Sequence, residues 1–471
     1  MRPDSASVRP GPFAAFLGAA AASVLLSTSA LAQASTAPAP RLLDAAAARA
    51  LGYQAGWQSR LPLLAGGSLT GMRFDGPHPG DDTGALFAWD DEGVILKVDP
   101  ATGDLRWQSA SVATKGGKNL VDVNVAATAT KALAVGLGDT TCLTLEERTG
   151  SELGQTRYEH IPVTESIRSG RDLVFGSRGG HVVWMGFRDE QVPSRVEGKP
   201  GDKPKKETGV AAVHTFAYEE QAHQLRGSIQ ARPVAAGAMI IACSTNGQIA
   251  SFSKLSRNRV WSLDLPGGIV ATPATDGTQL FVACRDQYLR CIDAEKGRTK
   301  WKWFCESPLE NPPLLAGDLV MLQVPDLGLV ALDASDQGGL TREPRWKSKA
   351  AGNPITRLVE GVVVWDKASS TLSLVDDATG IVRESRTLPG VTAVQASAAT
   401  RGDLYLMSND GRLQRCAPIS GPVTTPAVSG DASAQPAETA KTEETAPPSG
   451  EAASTSAEEP TQDPSMDPTG V

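Results

Sequence analysis

Short apolar runs alternate with small polar turns along most of this chain. ALFAW (85–89), DDEG and VILKVD (94–99) have the pattern of strand, turn and strand, and a second turn, ATG, precedes LRWQS. The same plan recurs in LFVAC (280–284), YLRCID (288–293) and RTKWKW (298–303). Strands of five or six residues, separated by Asn, Asp, Gly and Thr, favour an all-β fold over alternating helices.

The pattern repeats. Five stretches align over ten residues without a gap, each with an apolar residue, usually an acid, and a polar turn: 98–107, 145–154, 252–261, 292–301 and 375–384. Three of the five also carry a Trp in the same column, and Trp261 and Trp301 stand 40 residues apart. A period of this length indicates a repeat architecture. A further short segment precedes the hairpins, as at 270–275, 310–315, 353–359 and 391–398, so each unit has four strands, which is typical of a propeller blade.

Eight repeats can be counted, and the last one (402–419) lacks a fourth strand. The stretch 52–61 carries Trp57-Gln58-Ser59, which matches Trp107-Gln108-Ser109 in the first repeat. A closed ring removes exposed sheet edges. We therefore predict an all-β, eight-bladed β-propeller of four-stranded blades, closed by an N-terminal strand.

Asp99, Thr102, Gly103 and Trp107 resemble the tryptophan-docking motif of the pyrroloquinoline-quinone-repeat (PQQ-like) β-propellers. This group includes quinone-dependent alcohol dehydrogenases and the propeller lipoprotein of the bacterial outer-membrane barrel-assembly machinery. The resemblance covers residues 52–419 and implies eight blades linked by Trp residues that pack on the neighbouring repeat. The motif is degraded in repeats 2, 3 and 7, and Gly154 and Glu384 occupy two of the Trp positions.

The motif residues have evident physical roles. Gly tolerates positive φ, Asp accepts hydrogen bonds from turn N–H groups, and Trp combines a large apolar face with one N–H donor. We therefore expect structural docking, and no quinone contact, from Trp57, Asp99, Gly103, Trp107, Trp261, Asp293, Gly297, Trp301 and Trp346.

The two ends differ from the repeats. Residues 1–32 have Arg2 and Arg9, an apolar run (14–26) and Ala30-Leu31-Ala32, the pattern of a cleavable signal peptide. The run is too short to span a membrane, and no later stretch is long enough. Because no Cys follows the cleavage site, no lipid anchor is expected. Residues 33–51 are predicted to be a linker or short helix, and the mature protein to be periplasmic or secreted.

Residues 420–471 are rich in Pro, Thr, Ser, Ala and Glu, so a disordered acidic tail is predicted. Nine acids and one base lie beyond residue 420, which accounts for the formal charge of −8 of the whole chain. The remainder is nearly neutral, so neither nucleic acid nor an anionic membrane is an expected partner. The insertion 189–209 mixes Lys, Arg, Asp and Glu, and is expected to be a mobile surface loop.

Candidate chemistry is sparse. The six cysteines suit small buried positions between blades, with disulfides as the alternative. The five histidines are scattered and no C-x-x-C pair occurs, so no metal residue is expected. Patterns of the G-x-S-x-G, H-E-x-x-H and P-loop types are absent. The adjacent Cys pair typical of quinone dehydrogenases is absent too, so we predict no catalytic residue and no cofactor.

These observations predict an exported, non-catalytic propeller scaffold or protein-binding module of the bacterial cell envelope, with protein partners and a role such as outer-membrane protein handling. The alternative is a PQQ-dependent quinoprotein oxidoreductase. The fold alone does not decide between them.

Overall fold

The computed structural model describes residues 40–77, 81, 83–110, 119–192, 212–335 and 340–419. The predicted signal peptide (1–32), the tail (420–471) and most of the 189–209 insertion lie outside these ranges. The described residues form eight four-stranded antiparallel sheets, which confirms the predicted propeller.

Each of the first four blades follows the order of the chain. Blade 1 comprises β2 (Leu69–Asp75), β3 (Ala85–Asp90), β4 (Ile95–Val98) and β5 (Leu105–Gln108). Blade 2 comprises β6 (Leu120–Ala127), β7 (Ala132–Gly138), β8 (Thr141–Glu146) and β9 (Glu152–Arg157). Blade 3 comprises β10 (Ile167–Ser169), β11 (Asp172–Gly176), β12 (His181–Val192) and β13 (Ala212–Gln224). Blade 4 comprises β14 (Val234–Ala236), β15 (Met239–Cys243), β16 (Gln248–Ser253) and β17 (Arg259–Asp264).

Blades 5 to 7 continue in the same way, and blade 8 takes its fourth strand from the start of the chain. Blade 5 comprises β18 (Ala274–Thr275), β19 (Gln279–Ala283), β20 (Tyr288–Asp293) and β21 (Thr299–Phe304). Blade 6 comprises β22 (Leu314–Ala316), β23 (Leu319–Val324), β24 (Gly328–Asp333) and β25 (Trp346–Ser348). Blade 7 comprises β26 (Asn353–Arg357), β27 (Val362–Asp366), β28 (Thr371–Val375) and β29 (Val382–Thr387). Blade 8 comprises β30 (Val391–Ala396), β31 (Leu404–Ser408), β32 (Arg412–Pro418) and β1 (Tyr53–Arg60).

Some first strands are shorter than the sequence pattern predicted. The segment 270–275 forms a strand only at Ala274–Thr275, and 310–315 forms one only from Leu314. Pro273, Pro312 and Pro313 precede these strands. Proline has no N–H to donate to a sheet, so pairing begins after it.

The core is divided among the junctions between blades. The middle strands are buried along most of their length, as in β3 and β4, because both of their faces pack against neighbouring sheets. In the described residues the buried side chains form eight clusters, each containing residues of two consecutive blades. Burial between blades therefore holds the ring together.

The ring closes by pairing between the two ends of the propeller. β1 is antiparallel to β32, from Tyr53 opposite Pro418 to Arg60 opposite Arg412. A short helix, α1 (Ala45–Ala50), precedes β1 and is capped by the Asp44 carboxylate. The buried Gln414 amide accepts from the Leu43 N–H at 2.8 Å and donates to the Leu43 carbonyl at 2.7 Å. Within the described ranges no helix is long and apolar enough to cross a membrane.

Candidate functional site

Five of the predicted docking residues make the same contact between blades. In each case the indole N–H donates to a backbone carbonyl in the turn between the third and fourth strands of the next blade. The five contacts are Trp57 to Pro100 (3.0 Å), Trp107 to Glu147 (2.8 Å), Trp261 to Ala294 (3.0 Å), Trp301 to Ser335 (3.0 Å) and Trp346 to Asp377 (2.6 Å).

The turn that receives Trp57 shows why the motif needs its acid and its glycine. The Asp99 carboxylate accepts from the N–H groups of Ala101 (2.7 Å) and Thr102 (3.1 Å). Gly103 has φ of 80°, and a Cβ there would lie 2.5 Å from the Trp57 indole. Glycine thus allows both the turn and the close approach of the ring.

Asp293 and Gly297 repeat this arrangement beneath Trp261. The Asp293 carboxylate accepts from the N–H groups of Glu295 and Lys296, at 3.0 and 2.9 Å. A Cβ at Gly297 would lie 2.6 Å from the Trp261 ring. The nine predicted docking residues thus fall into two groups. Five are the tryptophans that donate to these turns, and four are the aspartates and glycines of the turns beneath Trp57 and Trp261.

Blades 2 and 3 meet without a docking tryptophan. In blade 3 the turn between the third and fourth strands is replaced by the long β12–β13 hairpin. Gly154 occupies the Trp position of blade 2, and a Cβ there would lie 2.3 Å from the Thr215 carbonyl on β13. The Thr144 hydroxyl donates to that same carbonyl at 2.7 Å. The hairpin therefore occupies the space that an indole fills elsewhere.

Blades 3 and 4 also meet without such a tryptophan. A ring nitrogen of His223, on β13, lies 2.8 Å from the Arg257 carbonyl in the turn of blade 4. The His223 ring stacks on Phe252 with centroids 4.8 Å apart, and Trp184 meets it edge-on at 5.7 Å. Here an imidazole contacts both the core and the turn.

The third exception is the junction between blades 7 and 8. Blade 8 has no turn between its third and fourth strands, because β32 and β1 come from opposite ends of the propeller. Helix α1 supplies Ala47 and Ala48 to the buried cluster there, together with Leu374 of blade 7 and Leu404 of blade 8. Because blade 8 has no turn to receive an indole, a tryptophan in blade 7 would have no acceptor there, which explains Glu384 at that position.

The first strands of the blades face the centre of the ring, and in blades 1 to 3 they carry paired charges. Arg73 contacts Asp122 at 2.7 Å, and Arg168 contacts Asp75 at 3.4 Å. The Asp122 carboxylate also accepts from the Ser166 hydroxyl at 2.6 Å. These inner carboxylates are therefore already bound to side chains of the protein.

The cysteines lie in the core. All six are buried thiols and none is in a disulfide, so the disulfide alternative is not realised. The Cys284 thiol donates to the Gly267 carbonyl at 3.1 Å. Burial raises the pKa of Cys284 to about 11 and that of Cys416 to about 12. Neutral thiols of this kind are poor nucleophiles.

Histidines and carboxylates converge beside the blade 2–3 junction. The Nδ1 of His160 lies 2.6 Å from Oε2 of Glu219. Donor atoms of Glu159, His160 and Glu219 all lie within 4.8 Å of one another. The His181 ring is 4.0 Å from the His160 ring, centroid to centroid. Burial lowers the pKa of His181, and nearby His160 lowers it further.

This cluster was missed at the level of sequence. The histidines are scattered along the sequence, yet in the fold His160 follows blade 2, and His181 and Glu219 belong to adjacent strands of blade 3. The Glu-His dipeptide at 159–160 is the one local signal, and by itself it is too common to indicate a site.

Among the described residues, two partly exposed surfaces carry aromatic and arginine side chains. On one face of β13, His214 stacks on Phe216 with centroids 6.1 Å apart, and Arg188 of β12 lies 5.3 Å from the Tyr218 ring centroid. The second surface is a groove of about 890 Å³ between blades 5 and 6, lined by Tyr288, Lys302, Trp303, Phe304, Cys305, Glu306, Ser307, Asp326, Leu327, Thr341, Arg342, Glu343, Pro344 and Lys347.

The fold and the tryptophan contacts define the class as an eight-bladed propeller of PQQ-like repeats. A family model described as "Outer membrane protein assembly factor BamB" matches residues 46–302 and 245–432, which together make up most of the chain. The chain therefore belongs to this family, as the resemblance implied.

Individual relatives are distant. The outer membrane protein assembly factor BamB of Bordetella pertussis is 24% identical over 158 residues, which cover 32% of this chain and 39% of that protein. The crystal structure of BamB from Moraxella catarrhalis superimposes with a TM-score of 0.54 at 16% identity, covering 78% of this chain and 97% of that one. The computationally designed protein Ika8 gives 0.50 at 14% identity, covering 74% and 96%. These two structures support the fold alone.

Proposed function

We propose that this chain is an exported, non-catalytic propeller that binds proteins of the bacterial cell envelope and takes part in outer-membrane protein assembly. The observation that carries the proposal is the family match across most of the propeller. Export rests on the signal-peptide pattern of residues 1–32, and the mature chain then works in the periplasm.

The surface supports protein binding. Aromatic and arginine side chains are enriched in protein interfaces. They occur on one face of the β12–β13 hairpin and in the groove between blades 5 and 6. Phe304, in the groove, is half exposed. Phe216 and Phe304 both lie on strands that are paired within a blade, which favours binding at these positions without a large change of shape.

Affinity purification from an envelope fraction tests this proposal. The bait is the mature chain, and Phe216→Ala and Phe304→Ala baits each alter one of the two surfaces. We expect the wild-type bait to enrich outer-membrane assembly proteins over a tag-only control, and one of the two variants to lose them. Enrichment no greater than with the tag alone would contradict the proposal.

The alternative, a quinoprotein oxidoreductase, requires a metal ion held by oxygen ligands next to the quinone. In blades 1 to 3, Asp75 and Asp122 are instead paired with arginines. A direct experiment distinguishes a binding protein from an oxidoreductase. The protein is incubated with pyrroloquinoline quinone and calcium, and dye reduction is then assayed with alcohols and aldoses. We expect no substrate-dependent turnover, and stoichiometric retention of the quinone with turnover would establish the oxidoreductase.

A further inference from the structure

We propose that Glu159, His160 and Glu219 form a binding site for a Zn²⁺ ion that fastens blade 2 to blade 3, with His181 as a neighbouring nitrogen donor. The site is independent of the proposed function. One imidazole and two carboxylates form a mixed nitrogen and oxygen donor set of the kind that binds Zn²⁺.

The spacing of the donors suits a single ion. Zn²⁺ bonds of about 2.0–2.2 Å to nitrogen and oxygen place neighbouring donor atoms roughly 3–3.5 Å apart. In the structure the three donor atoms lie within 4.8 Å of one another, and the His160–Glu219 pair is at 2.6 Å. Binding therefore requires one hydrogen bond to open slightly and the exposed Glu159 side chain to move inward.

The backbone holds the central carboxylate in place. Oε1 of Glu219 accepts from the N–H groups of Glu159 at 2.9 Å and His160 at 2.8 Å. This leaves Oε2 directed at the His160 ring, where the ion would sit. Hydrogen bonds of this kind orient metal ligands in known sites, and losing such support typically weakens metal affinity about 10- to 100-fold.

A fourth donor is at hand. Nδ1 of His181 is buried and makes no hydrogen bond with the described residues. Buried polar nitrogen atoms normally have a partner, so an orphaned one on a ring whose centroid lies 4.0 Å from that of His160 needs an explanation. Rotation of the His181 ring toward the ion would satisfy that nitrogen and complete four-coordination.

The position in the fold gives the ion a role. Glu159 and His160 follow β9, the last strand of blade 2, whereas Glu219 lies on β13 of blade 3. This is the junction where Gly154 replaces the docking tryptophan and the hairpin takes its place. An ion bridging the two blades would therefore strengthen a contact that lacks the indole lock.

Calorimetric titration with Zn²⁺ and thermal unfolding with and without Zn²⁺ test the proposal on the metal-stripped mature protein. We expect one strong site and a rise in melting temperature that grows with Zn²⁺ concentration, as binding to the native state requires. His160→Ala and Glu219→Gln should weaken binding by about 10- to 100-fold or more. His214→Ala, which removes a histidine elsewhere on β13, should bind like the wild type.

The outcomes separate a built site from incidental binding. Because His160→Ala and Glu219→Gln also remove a native contact, Glu159→Gln is a second variant that changes only an exposed side chain; it should fold normally and bind Zn²⁺ more weakly. Wild-type affinity in all three variants, no Zn²⁺ binding by the wild type, or an equal response to Ca²⁺ would each overturn the assignment.

Discussion

The docking tryptophans differ in how much of each side chain is buried. Trp301 is fully buried in the cluster between blades 5 and 6, whereas Trp261 is only partly covered. Both donate to a carbonyl of the next blade at 3.0 Å. The apolar area removed from water, more than the hydrogen bond, therefore determines their relative contributions.

Trp301→Ala should lower the free energy of unfolding by about 3–5 kcal/mol, the usual cost of truncating a large buried aromatic. Trp261→Ala should cost less, because part of that side chain is exposed. Chemical denaturation measures both, with Phe304→Ala on the same strand as Trp301 serving as the control. A loss under about 1 kcal/mol at Trp301 would mean that the indole does not stabilise the junction.

The buried cysteines lead to a prediction about reactivity. Burial raises the pKa of Cys284 to about 11 and of Cys416 to about 12, so at pH 8 both remain protonated and shielded. A thiol reagent such as Ellman's reagent should react only slowly with the native protein. After denaturation it should react readily with all six thiols. Rapid labelling of the native protein would contradict this burial.

At the scale of the element, the turn between the third and fourth strands organises the junctions. In blades 1, 5 and 7 its aspartate accepts from turn N–H groups, its glycine lies against the indole, and its carbonyl receives the indole N–H. Where this turn is missing, the preceding blade has no docking tryptophan: Gly154 faces the hairpin and Glu384 precedes a blade open at that point. Two of the three losses of the docking tryptophan thus follow from the neighbouring blade, whereas at the blade 3–4 junction the turn is present and His223 contacts it.

The turn aspartates should contribute to acid sensitivity. Hydrogen bonds from Arg345 and Ser335 lower the pKa of Asp333 from 3.8 to about 2, and those from Thr379 and Arg383 do the same for Asp376. A folded pKa below the unfolded value means that the stabilisation is present above pH 3.8 and is lost as pH falls toward about 2.

Asp333→Asn and Asp376→Asn should therefore lower the urea midpoint at neutral pH and flatten its decline in acid. The difference between each variant and the wild type should shrink as pH approaches about 2, where the native carboxylates are themselves protonated. A difference that is constant between neutral pH and about pH 2 would show that the charge has no part in it.

The features that could be predicted from the sequence are those set by local residue types. The repeat, its turns and the tryptophan column follow from residue types at fixed spacing, and the match between Trp57 and Trp107 was enough to predict ring closure. The sequence did not predict the Glu159–His160–Glu219 cluster or the imidazole contact of His223, because these depend on which strands the fold makes adjacent. The extent of the first strands was overestimated because apolar runs that contain proline resemble paired strands.

At the scale of the whole molecule, the ring depends on its N-terminal segment. β1 completes blade 8, Trp57 docks on blade 1, and helix α1 fills the junction between blades 7 and 8. A closed propeller leaves no open sheet edge at this point, so removing the segment exposes both an edge and a core.

Deleting residues 33–61 should sharply destabilise the protein, whereas deleting 425–471 should leave the melting temperature nearly unchanged. The first deletion removes a paired strand and a docking tryptophan; the second removes only sequence predicted to be a disordered tail. Thermal unfolding followed by circular dichroism compares them. Equal effects of the two deletions would contradict closure by the N-terminal strand.

We propose above that this propeller works by binding other envelope proteins. Site-specific photo-crosslinking in living cells tests it most directly, with the reactive residue placed at Phe216, at Phe304 and at Leu255, which is 94% exposed. We expect light-dependent adducts with outer-membrane assembly proteins from Phe216 or Phe304. Absence of adducts from both Phe216 and Phe304 in cells that contain the folded protein would contradict the proposal, whatever the result at Leu255.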